Sequence, residues 1–458
     1  MRDLVKMDIP KKRLQLFLAL IIVIAFLTRF LILVSIEKDP GKFYTFDSDD
    51  YMIPANNLKT HGVFSGEMQP PFTPYTYRTP IYPLFLAINL SIFGANLSQT
   101  ILMQVILGSL TVLFTFLLTK RLMFSDGAAL IAASIVAIDP VSILLSNQLL
   151  TETLFTFELV TGILLFSMFW QKEQAWMLIA SAVMISLAVL TRPIAQYLPI
   201  ALFFLFAFSL RKKVFRTVIF NGLIFILISG LIMGFWAYRN YRASDIFTLS
   251  TISDENLLFY KARAVLAEAE NISQDGALIK LEAEIRETTI QKNLSLSEIN
   301  SLERSRAVQI FFQYPLQTTA LMIKGAIILL IDPGFTIMCS VLDPSNTSHE
   351  CISGQASMLD SGIINKTVNV FQEMNMVQKI LLTLSLLLLG LMYIGILIGV
   401  TNLVRNRNWF TITLLIGLIA YFILLSAGVS NYRFRAPIIP FLAILAGIGY
   451  GSIQMRRS

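Results

Sequence analysis

LQLFLALIIVIAFLTRFLILVSI (residues 14–36) is followed, ten residues on, by FDSDDY (residues 46–51). The first stretch can cross a hydrocarbon core of about 30 Å at about 1.5 Å per residue. The second sets Asp47, Asp49 and Asp50 at the edge of the bilayer. In the same loop YRTPIYP (residues 77–83) adds Arg78. Charge this close to a membrane edge is seldom idle, and the loop becomes the reference for the rest of the chain.

The rest of the chain repeats the apolar pattern. It has 458 residues, 55% hydrophobic and 14% charged, with a mean hydropathy of +0.68. A soluble domain needs more charge to cover its surface, so the composition implies an all-α polytopic membrane protein. The net charge of +7 comes from short basic clusters between apolar runs. That is the positive-inside pattern rather than a nucleic-acid surface. Two cysteines and two histidines are too few for a structural metal framework. Leu14–Val34 is longer than a signal h-region and no small-residue cleavage site follows, so it is expected to stay as an anchor.

Lys6, Lys11, Lys12 and Arg13 put the N-terminus in the cytoplasm. Spans then fit residues 14–36, 99–119, 127–146, 149–169, 175–190, 194–210 and 217–236. Later spans fit residues 376–400, 410–426 and 436–450, for a total of about ten with both termini inside. All four tryptophans, at 170, 176, 236 and 409, fall at span ends. Residues 80–93 are apolar but too short to cross, and are expected to lie at the interface. Residues 239–314 are polar with helical periodicity. Leu278, Leu281 and Ile285 line one face, and Ser295 with Glu298 has capping-box spacing. Residues 316–331, with Lys324 in their middle, read as a second interfacial helix. The expected organisation is a transmembrane module over 1–238 whose first outer loop is 37–98, an outer segment over 239–376, and C-terminal transmembrane helices over 377–458. No repeat of 20 to 50 residues is found.

On this topology the unusual polar residues share the outer side: Asp47, Asp49, Asp50, Arg78, Glu152, Arg192, Arg239, Asn240, Tyr432, Arg433 and Arg435. Carboxylates facing arginines at one depth suit chemistry on a phosphorylated, lipid-linked substrate. Arginine offers a planar donor fork that matches phosphate oxygens and stabilises a leaving phosphate. A carboxylate takes the proton of an attacking hydroxyl. One base with in-line displacement inverts the anomeric centre. Such chemistry needs no nucleotide, and no glycine-rich phosphate loop is present.

These residues resemble the GT-C superfamily of membrane glycosyltransferases, in particular the bacterial dolichyl-phosphate-mannose protein mannosyltransferase-like group that includes aminoarabinose transferases. The resemblance rests on Asp47 four residues before Tyr51 with Asp50 between them, and on Ala55-Asn56-Asn57-Leu58 followed by His61-Gly62. Further along come Arg78, Pro80, Tyr82 and Pro83, then Thr151-Glu152, Thr191-Arg192-Pro193, and Trp236 with Arg239 and Asn240. Tyr432-Arg433-Phe434-Arg435 with Pro437 and Pro440 completes it. The resemblance implies an inverting transferase that takes a sugar from a polyprenyl-phosphate carrier. Asp47 would be the base and Asp50 an accessory carboxylate. Arg78, Arg192, Arg239, Tyr432 and Arg435 would cradle the donor phosphate, and Tyr51, Tyr82, Glu152 and Asn240 would contact substrate. The acceptor (lipid, glycan or protein) does not follow from the likeness, because the outer mass here is split between the middle segment and residues 332–375.

Plainer readings stand beside these. Asp47 and its neighbours could cap an interfacial helix, and Asp49 is the one most readily idle. Arg192 and Arg239 could anchor to lipid phosphate, and Glu152 could serve only a helix N-terminus. Asp47 and Asp50 are also a pair of the type that binds a divalent cation, and their spacing leaves that open. Cys339 and Cys351 share the outer loop and would pair in an oxidising compartment. Three functions compete with transfer: a polyprenyl-lipid flippase, an O-antigen ligase or polymerase-like enzyme, and a non-catalytic assembly or scaffold protein. A flippase would carry charges near the midplane and repeat symmetry; a ligase would use a diphosphate donor. The expected location is the bacterial inner membrane, with the site on the periplasmic side.

Overall fold

The computed structural model describes residues 9–123, 125–208, 215–342, 375–428 and 431–457. Among these there is no strand, and the chain is an all-α integral membrane protein. Helix α1 (Lys11–Ile36) leads into α2 (Asp49–His61), α3 (Ile81–Phe93) and α4 (Leu97–Met123). Next come α5 (Asp126–Ile138), α6 (Pro140–Leu145), α7 (Glu152–Lys172), α8 (Ala175–Thr191), α9 (Leu198–Phe208) and α10 (Phe215–Ser244). Seven described helices are long and apolar enough to cross a membrane, or eight if one bent pair counts as a span. The expected ten are therefore not all found as continuous spans. Residues 127–146 break into two short helices, and α8 and α9, at the expected spans 175–190 and 194–210, are also short.

The break between α5 and α6 has a local cause. Pro140 has no N–H to give to the carbonyl of Val136, four residues back. Asp139 instead caps α6 by accepting from the Ser142 N–H at 2.8 Å. The freed carbonyls at the end of α5 are taken by Arg29 of α1: Nη2 donates to Val136 O at 3.3 Å and Nη1 to Ala137 O at 3.2 Å. A cation at a helix C-terminus also suits the helix dipole. Arg29, which lies in the outer third of the first apolar run, is thus fully buried rather than reaching the headgroups.

A polar segment follows α10: α11 (Ile252–Asn256), a π-helical turn (Leu257–Ala262), α12 (Arg263–Glu270), α13 (Gln274–Lys292) and α14 (Leu296–Gln313). Its small core joins Leu258, Val265, Leu281, Ile285 and Ile310. Leu281 and Ile285 are buried as their spacing implies, and Leu278 is half-buried. The capping box of Ser295 and Glu298 is formed. Asn271 and Asn293 end α12 and α13 in the left-handed conformation, where asparagine is tolerated better than most residues. Helix α15 (Pro315–Ile331) turns away from α14 by 101°.

Helix α16 (Phe335–Leu342) precedes α17 (Met376–Arg405), α18 (Trp409–Ser426), a single helical turn (Tyr432–Arg435) and α19 (Ile439–Arg457). The window from Tyr432 is 89% buried while that of α1 is 17% buried, so the last helix is the axis of the bundle and α1 lies at its rim. Close packing explains the glycines on that axis. A Cβ on Gly399 would strike the Leu445 carbonyl, and one on Gly447 would strike the Ala128 carbonyl. The expected Cys339–Cys351 pairing falls outside the described residues.

Candidate active site

The loop carrying Asp47 is stitched to the loop that opens α7. The Leu149 N–H donates to Phe43 O at 2.8 Å, and Ser48 Oγ donates to Leu149 O at 3.0 Å. Three residues beyond Leu149 stands Glu152. Across the cluster, Thr79 Oγ1 donates to Thr191 O at 3.0 Å, so Arg78 and Arg192 become neighbours by way of the residues beside them. The ends of α1 and α8 and the starts of α7 and α19 therefore meet at one end of the bundle. Lys120 and Asp126 pair at 2.7 Å where α4 meets α5, which marks the opposite end.

Six charged side chains interlock at the first end. Asp47 Oδ1 accepts from Arg78 Nη2 at 3.0 Å, and its Oδ2 accepts from Arg433 Nη1 at 2.8 Å. Arg433 also donates through Nε to Glu152 Oε1 at 2.7 Å. Arg192 Nη1 approaches the same oxygen to 2.8 Å as an ion pair that lacks hydrogen-bond direction. Asp50 joins from the first turn of α2, accepting from Arg78 Nη2 at 2.7 Å. Three carboxylates thus face three guanidiniums. Glu152 is 1% exposed and Asp47 22%, so the cluster has a dry floor and an accessible mouth.

Burial by itself pushes the Asp47 carboxyl up, but Arg433 and Arg78 outweigh it and hold the group at about 2. Burial likewise opposes the Arg78 charge, while Tyr51, Asp47 and Asp50 keep it protonated well above its ordinary range. Arg78 lies 4.9 Å from the Tyr51 ring centroid and 5.2 Å from that of Tyr77. It also donates to the Tyr51 hydroxyl at 3.1 Å. Burial raises the Tyr51 hydroxyl despite the nearby Arg78, so Tyr51 stays a neutral phenol.

The other residues anticipated from the sequence lie around this cluster. Tyr82 is buried and donates to Gln104 Oε1 at 2.8 Å; Gln104 in turn holds Gln148 O at 2.7 Å. Arg239 makes no contact with the carboxylates. Its Nη1 donates to Tyr75 O at 2.7 Å and its Nη2 to Phe64 O at 3.3 Å. Thr251 N donates to Thr76 O at 3.1 Å, and Ser250 Oγ bonds Tyr77 O. Three consecutive carbonyls before Arg78 are therefore held from residues 239–251. Asn240 closes that turn by donating to Thr248 O at 2.9 Å. Arg435 points away from the cluster and donates to Leu329 O and Leu330 O at the end of α15. The Tyr432 N–H donates to Asp332 at 3.0 Å. Arg433, which sequence reading placed among the convergent residues without a specific part, is the one that bridges Asp47 to Glu152.

Guanidinium groups, which cannot ligate a metal, take both oxygens of Asp47 and one of Asp50. No group of three or more His, Cys, Asp or Glu residues able to hold a metal occurs among the described residues.

Known proteins agree with this architecture. Residues 77–236 match the profile of the family described as dolichyl-phosphate-mannose-protein mannosyltransferase. An "uncharacterized protein" of Aquifex aeolicus (strain VF5) is 24% identical over 220 residues, 48% of this chain and 42% of its own length. The archaeal oligosaccharyltransferase AglB from Archaeoglobus fulgidus, solved with an inhibitory peptide and a dolichol-phosphate, overlays with a TM-score of 0.54 at 16% identity. The overlay covers 96% of this chain and 50% of that one. ArnT from Cupriavidus metallidurans, bound to undecaprenyl phosphate, overlays with a TM-score of 0.42 at 12% identity. It covers 97% of this chain and 79% of that one, and is too loose to compare positions. The chain spans about half the length of the oligosaccharyltransferase it matches. Over residues 77–236 the family profile agrees with the resemblance to the dolichyl-phosphate-mannose protein mannosyltransferase-like group, and the overlay on the archaeal structure shows a shared fold.

Proposed function

We infer that the protein is an inverting glycosyltransferase that moves a sugar from a polyprenyl-phosphate carrier to an acceptor hydroxyl. Its site would face the periplasmic side of a bacterial inner membrane. One observation carries this reading: Asp47 is clamped between Arg78 and Arg433 over the buried Glu152, at the accessible end of a membrane bundle. The family profile and the dolichol-phosphate held by the archaeal structure support a lipid-phosphate carrier.

The clamp suggests how the base is switched on. A carboxylate held at about 2 is a weak base, since general-base power rises with pKa. A donor phosphate entering the mouth competes for the guanidinium forks of Arg433 and Arg78, because bidentate arginine–phosphate pairs are strong. Each hydrogen bond that Asp47 loses lets its pKa climb back toward the ordinary 3.8. The acceptor hydroxyl then gives its proton to Asp47 as its oxygen attacks the anomeric carbon. The bond from that carbon to the phosphate oxygen breaks, and the leaving polyprenyl phosphate keeps the electron pair. The arginines stabilise the charge that develops on it. Asp50 orients Arg78, and Arg239 acts through the loop backbone as a positioning residue. No step is assigned to a cation.

The test uses purified protein in lipid nanodiscs with a panel of polyprenyl-phosphate and polyprenyl-diphosphate sugars. Release of polyprenyl phosphate from monophosphate donors, with an inverted anomeric product, is expected. Release from diphosphate donors alone would favour the ligase-like enzyme. Lipid movement across proteoliposomes without any bond cleavage would replace the transferase with a flippase.

A further inference from the structure

Behind Glu152 lies a cavity inside the bundle. Its wall includes Arg29 of α1, Thr111 of α4, Ser142 of α6, and Glu152, Thr153 and Thr156 of α7. Two nitrogens of Arg29 are accounted for by the broken end of α5. The third is not: Nε is buried and has no hydrogen-bond partner. Gly108 lines the same cavity, and a Cβ placed on it would come within 3.0 Å of that Nε. The glycine therefore keeps the guanidinium edge open toward the cavity.

The chemistry of the wall selects the occupant. Arg29 offers one N–H donor. Thr111 Oγ1 already donates to Leu107 O at 2.9 Å, and Thr156 Oγ1 to Glu152 O at 2.7 Å. Both hydroxyls therefore face the cavity with acceptor lone pairs only. Glu152 adds a carboxylate. An anion would meet the acceptor faces of Thr111 and Thr156 and the charge of Glu152, and a metal ion would meet a guanidinium. A molecule that accepts one hydrogen bond and donates two fits, and the cavity has room for at least one water.

We propose that this cavity is an internal hydration site whose water accepts from Arg29 Nε and donates to Thr156 Oγ1 and Glu152, making Arg29 a positioning residue for the ion-pair cluster. Water held by a fixed guanidinium steadies Glu152, and Glu152 steadies Arg433 over Asp47. The catalytic half of this statement rests on the function proposed above, whereas the hydration half stands by itself.

X-ray radical footprinting with mass spectrometry separates the two, because bound water labels the side chains beside it. Leu145 lines the cavity though it is itself buried, while the equally buried Leu149 does not. Leu145 is expected to be labelled several-fold faster than Leu149, and Thr156→Val to remove most of that difference. Equal protection of the two leucines in the wild type would overturn the hydration site, whatever the enzyme's activity. In the transfer assay, Thr156→Val and Arg29→Lys should move the acid limb of the pH–rate profile upward, since a looser Glu152 relaxes the hold of Arg433 on Asp47. An unshifted limb in folded variants would overturn the positioning role and leave the hydration result to be judged by the footprint.

Discussion

Two charged regions of this protein are built on opposite principles. In the segment after α10 the ion pairs are separate couples: Arg304 with Asp254 at 2.8 Å, Lys280 with Glu270 at 2.6 Å, Arg306 with Glu284 at 2.7 Å. Each cation serves one carboxylate, and Arg304 is 61% exposed. Around Asp47, by contrast, no ion pair is private. Arg78 serves Asp47 and Asp50, Arg433 serves Asp47 and Glu152, and Glu152 serves Arg433 and Arg192. Exposed couples contribute little to stability because water competes for both partners. A shared, half-buried network is costly to assemble and costlier to break, since losing one member strands its partners. That second arrangement is what an incoming phosphate can reorganise.

The comparison breaks most visibly at Arg433. Replacing it with glutamine leaves the buried Glu152 with Arg192 alone and frees half of Asp47. A loss of about 3–5 kcal/mol in detergent-resistant stability is expected, together with loss of transfer. A thermal-unfolding series that places Arg433→Gln within error of wild type would mean the network is not a network.

Arg239→Gln should come next. It removes the donor to the Tyr75 carbonyl and one of two donors to the Phe64 carbonyl, and losing the partner of a half-buried acceptor costs at most about 1–3 kcal/mol. Because Arg78 stands just after the held carbonyls, turnover should fall about tenfold or more while donor KM changes little. A large rise in donor KM with unchanged kcat would return Arg239 to direct phosphate binding.

A smaller effect concerns acid. Asp47 has a folded value of about 2 against an ordinary 3.8, so between those values the unfolded chain binds more protons than the folded one. Its stabilising contribution is whole above about pH 4 and is lost as pH falls through 2. The difference in melting temperature between wild type and Asp47→Asn should be flat from pH 8 to 5 and shrink below 4. A difference that grows on acidification would contradict the clamp. Smallest of all is Lys280→Gln, whose couple with Glu270 is open to water at both ends, expected to cost less than about 1 kcal/mol and to leave transfer unchanged.

Parts of this picture are readable from residue order alone. Hydropathy and basic clusters locate α1, α4, α7, α10 and α17–α19, because a long apolar run has one physical solution in a bilayer. Asp139-Pro140 also announces the break in residues 127–146, though a hydropathy window smooths over it. Proximity of Asp47, Arg78, Glu152 and Arg192 follows from their shared end of the bundle. What residue order does not carry is direction. Arg433 and Arg435 are two apart on one turn, and only packing against α15 decides that the first faces Asp47 while the second caps Leu329 and Leu330. Nor does it show Arg239 reaching carbonyls more than 160 residues earlier in the chain, since a backbone oxygen has no signature of its own. The buried Arg29 looks like a snorkelling residue until Pro140 is seen to leave the Val136 carbonyl without its donor.

The most direct measurement is single-turnover transfer from one polyprenyl-phosphate sugar by wild type, Asp47→Asn and Lys280→Gln in the same nanodiscs. A fall of about 10²–10⁴ is expected for Asp47→Asn, the range for removal of a general base, and wild-type turnover for Lys280→Gln. Full turnover in Asp47→Asn would contradict the general-base role, because the shared network would then hold the bundle together without taking part in the chemistry.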